Sequence, residues 1–205
     1  MPFRKEMNMP CEYLPLGSLV DIKTGAPMSR AKKIAVGDDL IETRVLVPAA
    51  MADSRIDDAQ LVIEKVSKVK EELFTREGDV IIKASTPYDC VYIDKEHEGL
   101  LVTSFGLILR STSESLVDMR YLALFLGLEQ ANTELQNMSK GMTIQLLKKR
   151  DIGDLMIPVP STEEQARLGA LSEGVQRYKE LCRAISEKSN VLLQSEFARI
   201  VQAIN

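Results

Sequence analysis

The stretch STEEQARLGALSEGVQRYKELCRAISEKSNVLLQSEFARIVQAIN, residues 161–205, decides how this chain is built. Ser161 stands three residues before Glu164, the spacing of a capping box in which hydroxyl and carboxylate satisfy each other's backbone amides. No proline follows, so the helix that opens there runs unbroken to about Ala203. At about 1.5 Å per residue its length is roughly 63 Å. Leu168, Leu171, Val175, Tyr178, Cys182, Ile185 and Leu192 recur at alternating steps of three and four, with Ser189 as the polar exception. The stripe then shifts by one position to Leu193, Phe197, Ile200 and Ile204, as a straight helix drifting against a heptad would allow.

The opposite face sets Glu163, Glu164, Glu173, Glu180, Glu187 and Glu196 against Arg167, Arg177, Lys179, Arg183, Lys188 and Arg199. Acids and bases balance, and pairs such as Glu173/Arg177 add only about 0.2–0.5 kcal/mol each. This is a solvated face, not a phosphate-binding stripe. A helix so much longer than a small domain cannot bury its apolar stripe on that domain alone. Leu168, Leu171, Val175, Tyr178, Ile185 and Leu192 are therefore expected to form a dimerisation seam against a second helix.

Upstream the pattern changes. Residues 1–15 are expected to be irregular, because Pro2, Pro10 and Pro15 interrupt any period. Leu16–Gly25 reads as a short helical or strand element ending at a glycine turn, and Ala26–Lys33 as a loop with a basic cluster. Strands are expected at Leu40–Val47, Leu61–Val66, Val80–Lys83, Cys90–Ile93 and Leu100–Arg110. Ser85–Asp89 reads as a loop between two of them. From about Ser115 a helical period places Leu116, Met119, Leu122, Phe125 and Leu126 on one face as far as Met138, with Lys140-Gly141 as the stop. Leu155–Pro160 is a short strand whose two prolines confine it to an edge. The fold class expected is α+β: a β-rich domain over 1–160 with a few helices, then one long coiled-coil-type helix over 161–205.

With 205 residues, 45% hydrophobic and 27% charged, the chain can hold one good core plus an appendage. Its longest apolar-rich run, Gly99–Leu109, falls short of the about 20 residues a membrane span needs. The start, Met-Pro-Phe-Arg-Lys-Glu, has no apolar segment behind it, so a cytoplasmic protein is expected. Cys11, Cys90 and Cys182 are scattered and odd in number, which predicts reduced, mostly buried thiols. His97, the single histidine, reads as a solvated turn residue that cannot assemble a zinc site with such cysteines. A Cys90/His97 nucleophile pair lacks an orienting group. The eleven glycines never occur as Gly-x-Gly, which removes the dinucleotide fingerprint. Gly169 and Gly174 have the spacing of a phosphate loop but lie inside a helix without the following Lys-Ser/Thr. Ser85-Thr-Pro-Tyr88 only faintly resembles the turn with which amino-methyltransferases hold a flipped adenine. No constellation for catalysis emerges.

Three further stretches carry a resemblance. Gly141-Met-Thr-Ile144, Leu147, Asp151-Ile152, Leu155-Met-Ile-Pro-Val-Pro160 and Glu164-Gln165 resemble the C-terminal signature of a target-recognition domain in the specificity subunits of type I restriction-modification systems. Leu16–Gly25 is similar to the opening of such domains, and Glu77-Gly-Asp-Val-Ile-Ile-Lys83 to their central Gly-Asp strand. The three matches keep the family's order and span nearly all of the chain. The resemblance implies a non-catalytic DNA-reading module whose helices hold recognition domains apart and dock methyltransferase subunits. Those subunits would carry the S-adenosylmethionine; no cofactor and no metal are expected on this chain. Where a full-length subunit has two recognition domains and two helices, this chain has one of each. It is either a natural half-subunit that dimerises or a fragment of something longer.

The partners this implies are double-stranded DNA, methyltransferase subunits, a restriction subunit where the system restricts, and a second copy of the chain. DNA contacts are expected from Lys23, Thr24, Ser29, Arg30, Lys32, Lys33, Lys83, Ser85, Thr86, Lys140, Thr143, Lys148 and Lys149, with bases fixing phosphates and hydroxyls reading base edges. The formal net charge is −4. Removing the helix's six acids and six bases from the chain's 30 and 26 leaves the domain 24 acids against 20 bases, so alone it should grip DNA weakly. The same composition also fits an adaptor with a β-rich interaction domain on a coiled-coil stalk.

Overall fold

The structure is a computed structural model, and it describes residues 11–31, 40–67, 69–139 and 146–204. The first elements are β1 (Glu12–Pro15), the one-turn α1 (Leu16–Leu19), β2 (Val20–Thr24) and α2 (Met28–Ala31). The middle is strand-rich: β3 (Ile41–Leu46), β4 (Met51–Ala52), β5 (Arg55–Ile56), β6 (Val62–Val66), β7 (Val80–Lys83), β8 (Cys90–Tyr92), β9 (Leu101–Val102) and β10 (Gly106–Ser111). Then come α3 (Met119–Gly127), α4 (Glu129–Ser139), α5 (Lys149–Gly153), β11 (Met156–Val159) and the 43-residue α6 (Thr162–Ile204).

An antiparallel sheet in the order β2-β10-β7-β8 is the centre of the domain. Its two middle strands are buried on both faces, which is why Val80-Ile-Ile82 and Leu107-Ile-Leu109 are continuously apolar rather than alternating. Val80, Ile82, Leu107 and Leu109 point to a core shared with Leu122, Phe125 and Leu126 of α3 and Leu135 of α4. Ile81 and Ile108, one residue out of phase, point the other way, to Leu46, Met51, Val91 and Val102. A second sheet, β6-β3-β9, and the β4–β5 hairpin cover that side.

The Gly-Asp element that opens β7 works as a clamp. Gly78 takes φ +89°, a conformation open to glycine at little cost. Asp79 follows, 1% exposed. Arg110 of β10 donates to both its carboxylate oxygens, Nε to Oδ1 at 2.8 Å and Nη2 to Oδ2 at 2.6 Å, and the Arg76 backbone amide donates to Oδ2 at 2.8 Å. Arg110 Nη2 also donates to the Phe74 carbonyl at 2.9 Å.

Strands expected at β3, β6, β7 and β8 stand within a residue or so of where the sequence places them. Three expectations change. Residues 12–15 are not irregular: β1 pairs antiparallel with β11, from Glu12 opposite Val159 to Pro15 opposite Met156. Pro10 precedes that strand, Pro15 is its last residue, and its partner is remote in sequence. The helix expected from Ser115 to Met138 is two helices, broken after Gly127, where the Leu128 amide donates to the Phe125 carbonyl. Leu116 lies ahead of the Asp118 N-cap and is exposed, so it does not belong to the core face. Leu100–Arg110 is likewise divided, into β9 and β10, by a turn at residues 103–105. The stop at Lys140-Gly141 lies outside the described residues.

The long helix opens as the capping box requires. The Ser161 amide donates to Glu164 Oε2 at 3.1 Å and the Glu164 amide to Ser161 Oγ at 3.3 Å. The Ser161 hydrogen bonds hold the Glu164 carboxyl below the usual carboxylate range. Its first turns press on α3: a Cβ on Gly169 would lie 3.1 Å from Arg120 Cβ and 3.4 Å from the Tyr121 amide nitrogen. That close approach explains the glycine. Leu168 packs against the domain's own core and is thereby withdrawn from the expected dimerisation seam. Farther along, Arg183 Nη2 donates to Asp53 Oδ2 at 2.6 Å, tying α6 to the β4–β5 turn. Beyond it Ile185, Leu192 and Phe197 are 65%, 63% and 69% exposed. No helix among the described residues is long and apolar enough to cross a membrane.

Candidate nucleic-acid interface

One end of the central sheet gathers most of the described candidates. In the β2–β10–β7 register, Thr24 and Ile82 both lie opposite Leu107, and Lys83 lies opposite Gly106. The strands therefore deliver the segments after Thr24 and after Lys83 to the same edge. Backbone hydrogen bonds bind them there. The Gly25 amide donates to the Gly106 carbonyl at 3.0 Å, Ala26 to Val102 at 2.7 Å and Ser104 to Ala26 at 2.8 Å. Across the sheet the Ala84 amide donates to the Phe105 carbonyl and the Leu147 amide to the Ala84 carbonyl, both at 2.7 Å. Gly25 has no alternative residue, since a Cβ would stand 2.2 Å from the Thr103 carbonyl oxygen.

At this end Thr24, Ser29, Thr86 and Lys148 are exposed and Ser85 is half-buried. Lys23, Lys83 and Lys149 have acidic partners. Lys23 Nζ lies 3.0 Å from Glu72 and 3.3 Å from Asp21, and the Glu72 hydrogen bond, with Asp21 behind it, holds its ammonium above the ordinary lysine range. The same contact lowers the Glu72 carboxyl. Lys83 Nζ donates to Asp89 Oδ2 at 2.7 Å with little of its side chain exposed. Lys149 is 3.7 Å from Asp21, toward the opposite end of β2 from Thr24. A phosphate would have to displace or share these carboxylates. Lys148 has no ion pair among the described residues. Arg30 sits in α2, and Lys32, Lys33, Lys140 and Thr143 lie outside the described residues.

The remaining reactive groups are structural. Cys90 is buried, its thiol donates to the Ala123 carbonyl at 3.2 Å, and burial pushes it up to about 12, so no thiolate forms near neutral pH. Cys11 is half-buried and Cys182 exposed, so the expectation of mostly buried thiols holds for one of the three. His97 is not a solvated turn residue either. Its ring lies between Asp94, 2.7 Å from Nδ1, and Asp58, 3.6 Å from Nε2, with its side chain 15% exposed. Tyr88 is fully buried and its hydroxyl donates to Ser139 Oγ at 2.8 Å, which prevents it from stacking on a base. Groups of three or more His, Cys, Asp or Glu able to hold a metal ion are absent among the described residues.

Gln165, the last residue of the C-terminal signature, is 2% exposed and uses its whole amide. Nε2 donates to the Pro160 and Leu116 carbonyls at 3.0 and 3.1 Å, and Oε1 accepts from the Asp118 amide at 2.7 Å. It locks the start of α6 to the start of α3. Gln165→Leu should cost about 1–3 kcal/mol, because buried backbone groups lose their partner, and urea unfolding should read this as a lower midpoint at unchanged slope.

Among the described residues this surface also includes the turn Thr103-Ser-Phe-Gly106, which lies outside the set expected from cations and hydroxyls. Its signal was present in the sequence, as a Thr-Ser/Gly turn interrupting an apolar run with an aromatic at its tip.

Taken together, a sheet covered on both faces, with polar loops gathered at one edge, hands over directly to the 43-residue α6. Solved structures that share this fold include chains of type I restriction-modification systems. A chain from a structure of the assembling type I system superposes with a TM-score of 0.61 at 22% identity, over 90% of this chain and 44% of that one. The HsdS subunit from Thermoanaerobacter tengcongensis gives 0.56 at 20%, over 88% and 42%. The type I S subunit from M. genitalium gives 0.50 at 14%, over 86% and 41%. The chain thus spans less than half the length of each. No protein-family model and no curated protein matches the sequence.

Proposed function

We propose that the chain is a DNA-recognition subunit, or half-subunit, of a type I restriction-modification complex. The observation that carries this reading is the agreement in fold with type I specificity subunits over nine-tenths of the chain, helix included. Residues 1–160 read one half of a split target, and 161–205 act as the ruler between two such domains. The subunit itself performs no chemistry; it aims methyltransferase subunits, which bring S-adenosylmethionine, and a restriction subunit where the system cuts DNA. Two copies paired through α6 in antiparallel fashion would present identical domains at opposite ends and so read a palindromic, interrupted sequence. The work is cytoplasmic, where the DNA is.

The acid partners of Lys23, Lys83 and Lys149 support a division of labour in which the methyltransferase supplies most of the phosphate grip. At physiological salt the isolated chain should show little specific affinity, and a type I methyltransferase subunit should restore it. Within that complex, Lys148→Ala should weaken binding evenly across sequences and reduce the slope of log affinity against log salt by about 1. Combined alanine substitution of Lys32, Lys33, Lys148 and Lys149 should impair methylation further. Unchanged methylation by the fourfold variant would remove the DNA-reading interpretation.

A further inference from the structure

We propose that Phe105 is the module's apolar base contact, its ring meeting the 5-methyl group of a thymine in the major groove; this rests on the DNA-recognition reading above. Phe105 is 51% exposed at the tip of the β9–β10 turn, at the sheet end where Thr24, Ser85 and Thr86 converge. The turn has little freedom to turn the ring inward. The Gly106 amide closes it on the Thr103 carbonyl at 2.8 Å, the Ser104 amide ties it to the Ala26 carbonyl, and the Phe105 carbonyl accepts from Ala84. Thr103 before it and Gly106 after it are both buried, and a Cβ on Gly106 would lie 2.8 Å from Val102 Cγ1. A large apolar ring is thus held in water by a rigid backbone.

What such a ring fits follows from its surroundings. Among the described residues the neighbouring segments 24–29 and 83–86 contribute no other exposed large apolar side chain, so there an apolar protein surface would find one ring and a rim of hydroxyls. A phosphate has no use for a ring. A base edge combines hydrogen-bonding groups with, in thymine alone, an apolar methyl, and hydroxyls around an aromatic match that mixture. The stripe on α6 differs, because its exposed residues repeat along one face and match another helix.

The test uses the wild-type chain with its methyltransferase subunit. Its preferred duplex is first selected from random-sequence DNA, and each thymine in it is then replaced singly by deoxyuridine, which removes only the methyl group. At one position wild-type affinity should fall about fourfold, the worth of one buried methyl, while the Phe105→Ala complex should be blind to that replacement. Phe105→Ala should also bind the thymine duplex about tenfold more weakly and lose its preference at that base pair, with Phe105→Leu in between. A wild-type complex indifferent to every deoxyuridine overturns the proposal, as does a Phe105→Ala complex that still feels the replacement. A wild-type complex that selects no sequence at all overturns the DNA reading itself, a distinct result.

Discussion

Asp79→Ala should destabilise the domain by about 3–5 kcal/mol, because it strands the Arg110 guanidinium among buried backbone without its counter-charge. Arg110 is held by two hydrogen bonds to Asp79, at 2.6 and 2.8 Å, and its side chain is only 14% exposed. Alanine also leaves the Arg76 amide without its acceptor in the turn that starts β7. Against the about 5–15 kcal/mol available to a typical domain, such a loss is a large fraction of stability. The informative comparison is Asp79→Leu combined with Arg110→Met. Removing both charges together leaves neither uncompensated, and the double variant should lose far less than Asp79→Ala alone. Urea unfolding of the three proteins decides it. A double variant as unstable as the single one would show that packing of the turn, and not the ion pair, holds this end of the sheet.

That clamp shows which parts of the structure were legible in the sequence. Local chemistry was: the Ser161/Glu164 box opens α6 as its spacing requires, and Val80–Lys83 is a strand because three β-branched residues follow a Gly-Asp turn. The family-like motifs were legible as motifs, but their roles were not. Asp79 and Gln165, in two different family-like stretches, reach partners 31 and 47 residues away and fasten the structure there. The same distance effect hid the state of the candidate cations. Lys23 looks free in the sequence, and Glu72, 49 residues on, neutralises it in the fold. β1 went unrecognised because its prolines outweighed four residues whose partner strand is at the far end of the domain. Phe105 was passed over because a reading guided by charge gives no weight to an aromatic, and only its exposure at the converging loops distinguishes it from core.

The second large effect concerns α6, where sequence and structure agree on what is left uncovered. Leu171, Tyr178, Ile185, Leu192 and Phe197 are each more than 60% exposed, although Leu168, one step earlier on the stripe, is packed into the domain. Burying side chains of this size is worth about 1.5–3 kcal/mol each, so a seam of four or five on each of two helices can outweigh the cost of association. Ile185→Glu with Leu192→Glu should therefore abolish pairing. In an antiparallel two-fold pair each substitution occurs twice, and four carboxylates would enter an apolar seam with no base opposite them. The wild-type chain should sediment at twice its own mass at micromolar concentration, and the double variant at its own mass. Both positions lie beyond the Arg183–Asp53 tie, so thermal unfolding of the domain should be unchanged, which separates lost pairing from lost folding. On the proposed reading, methylation of a split target should fall with the dimer, since a single domain would then meet only half of the site. A wild-type chain that is monomeric at micromolar concentration would overturn self-pairing and leave the stripe to a helix from another protein or another part of a longer chain.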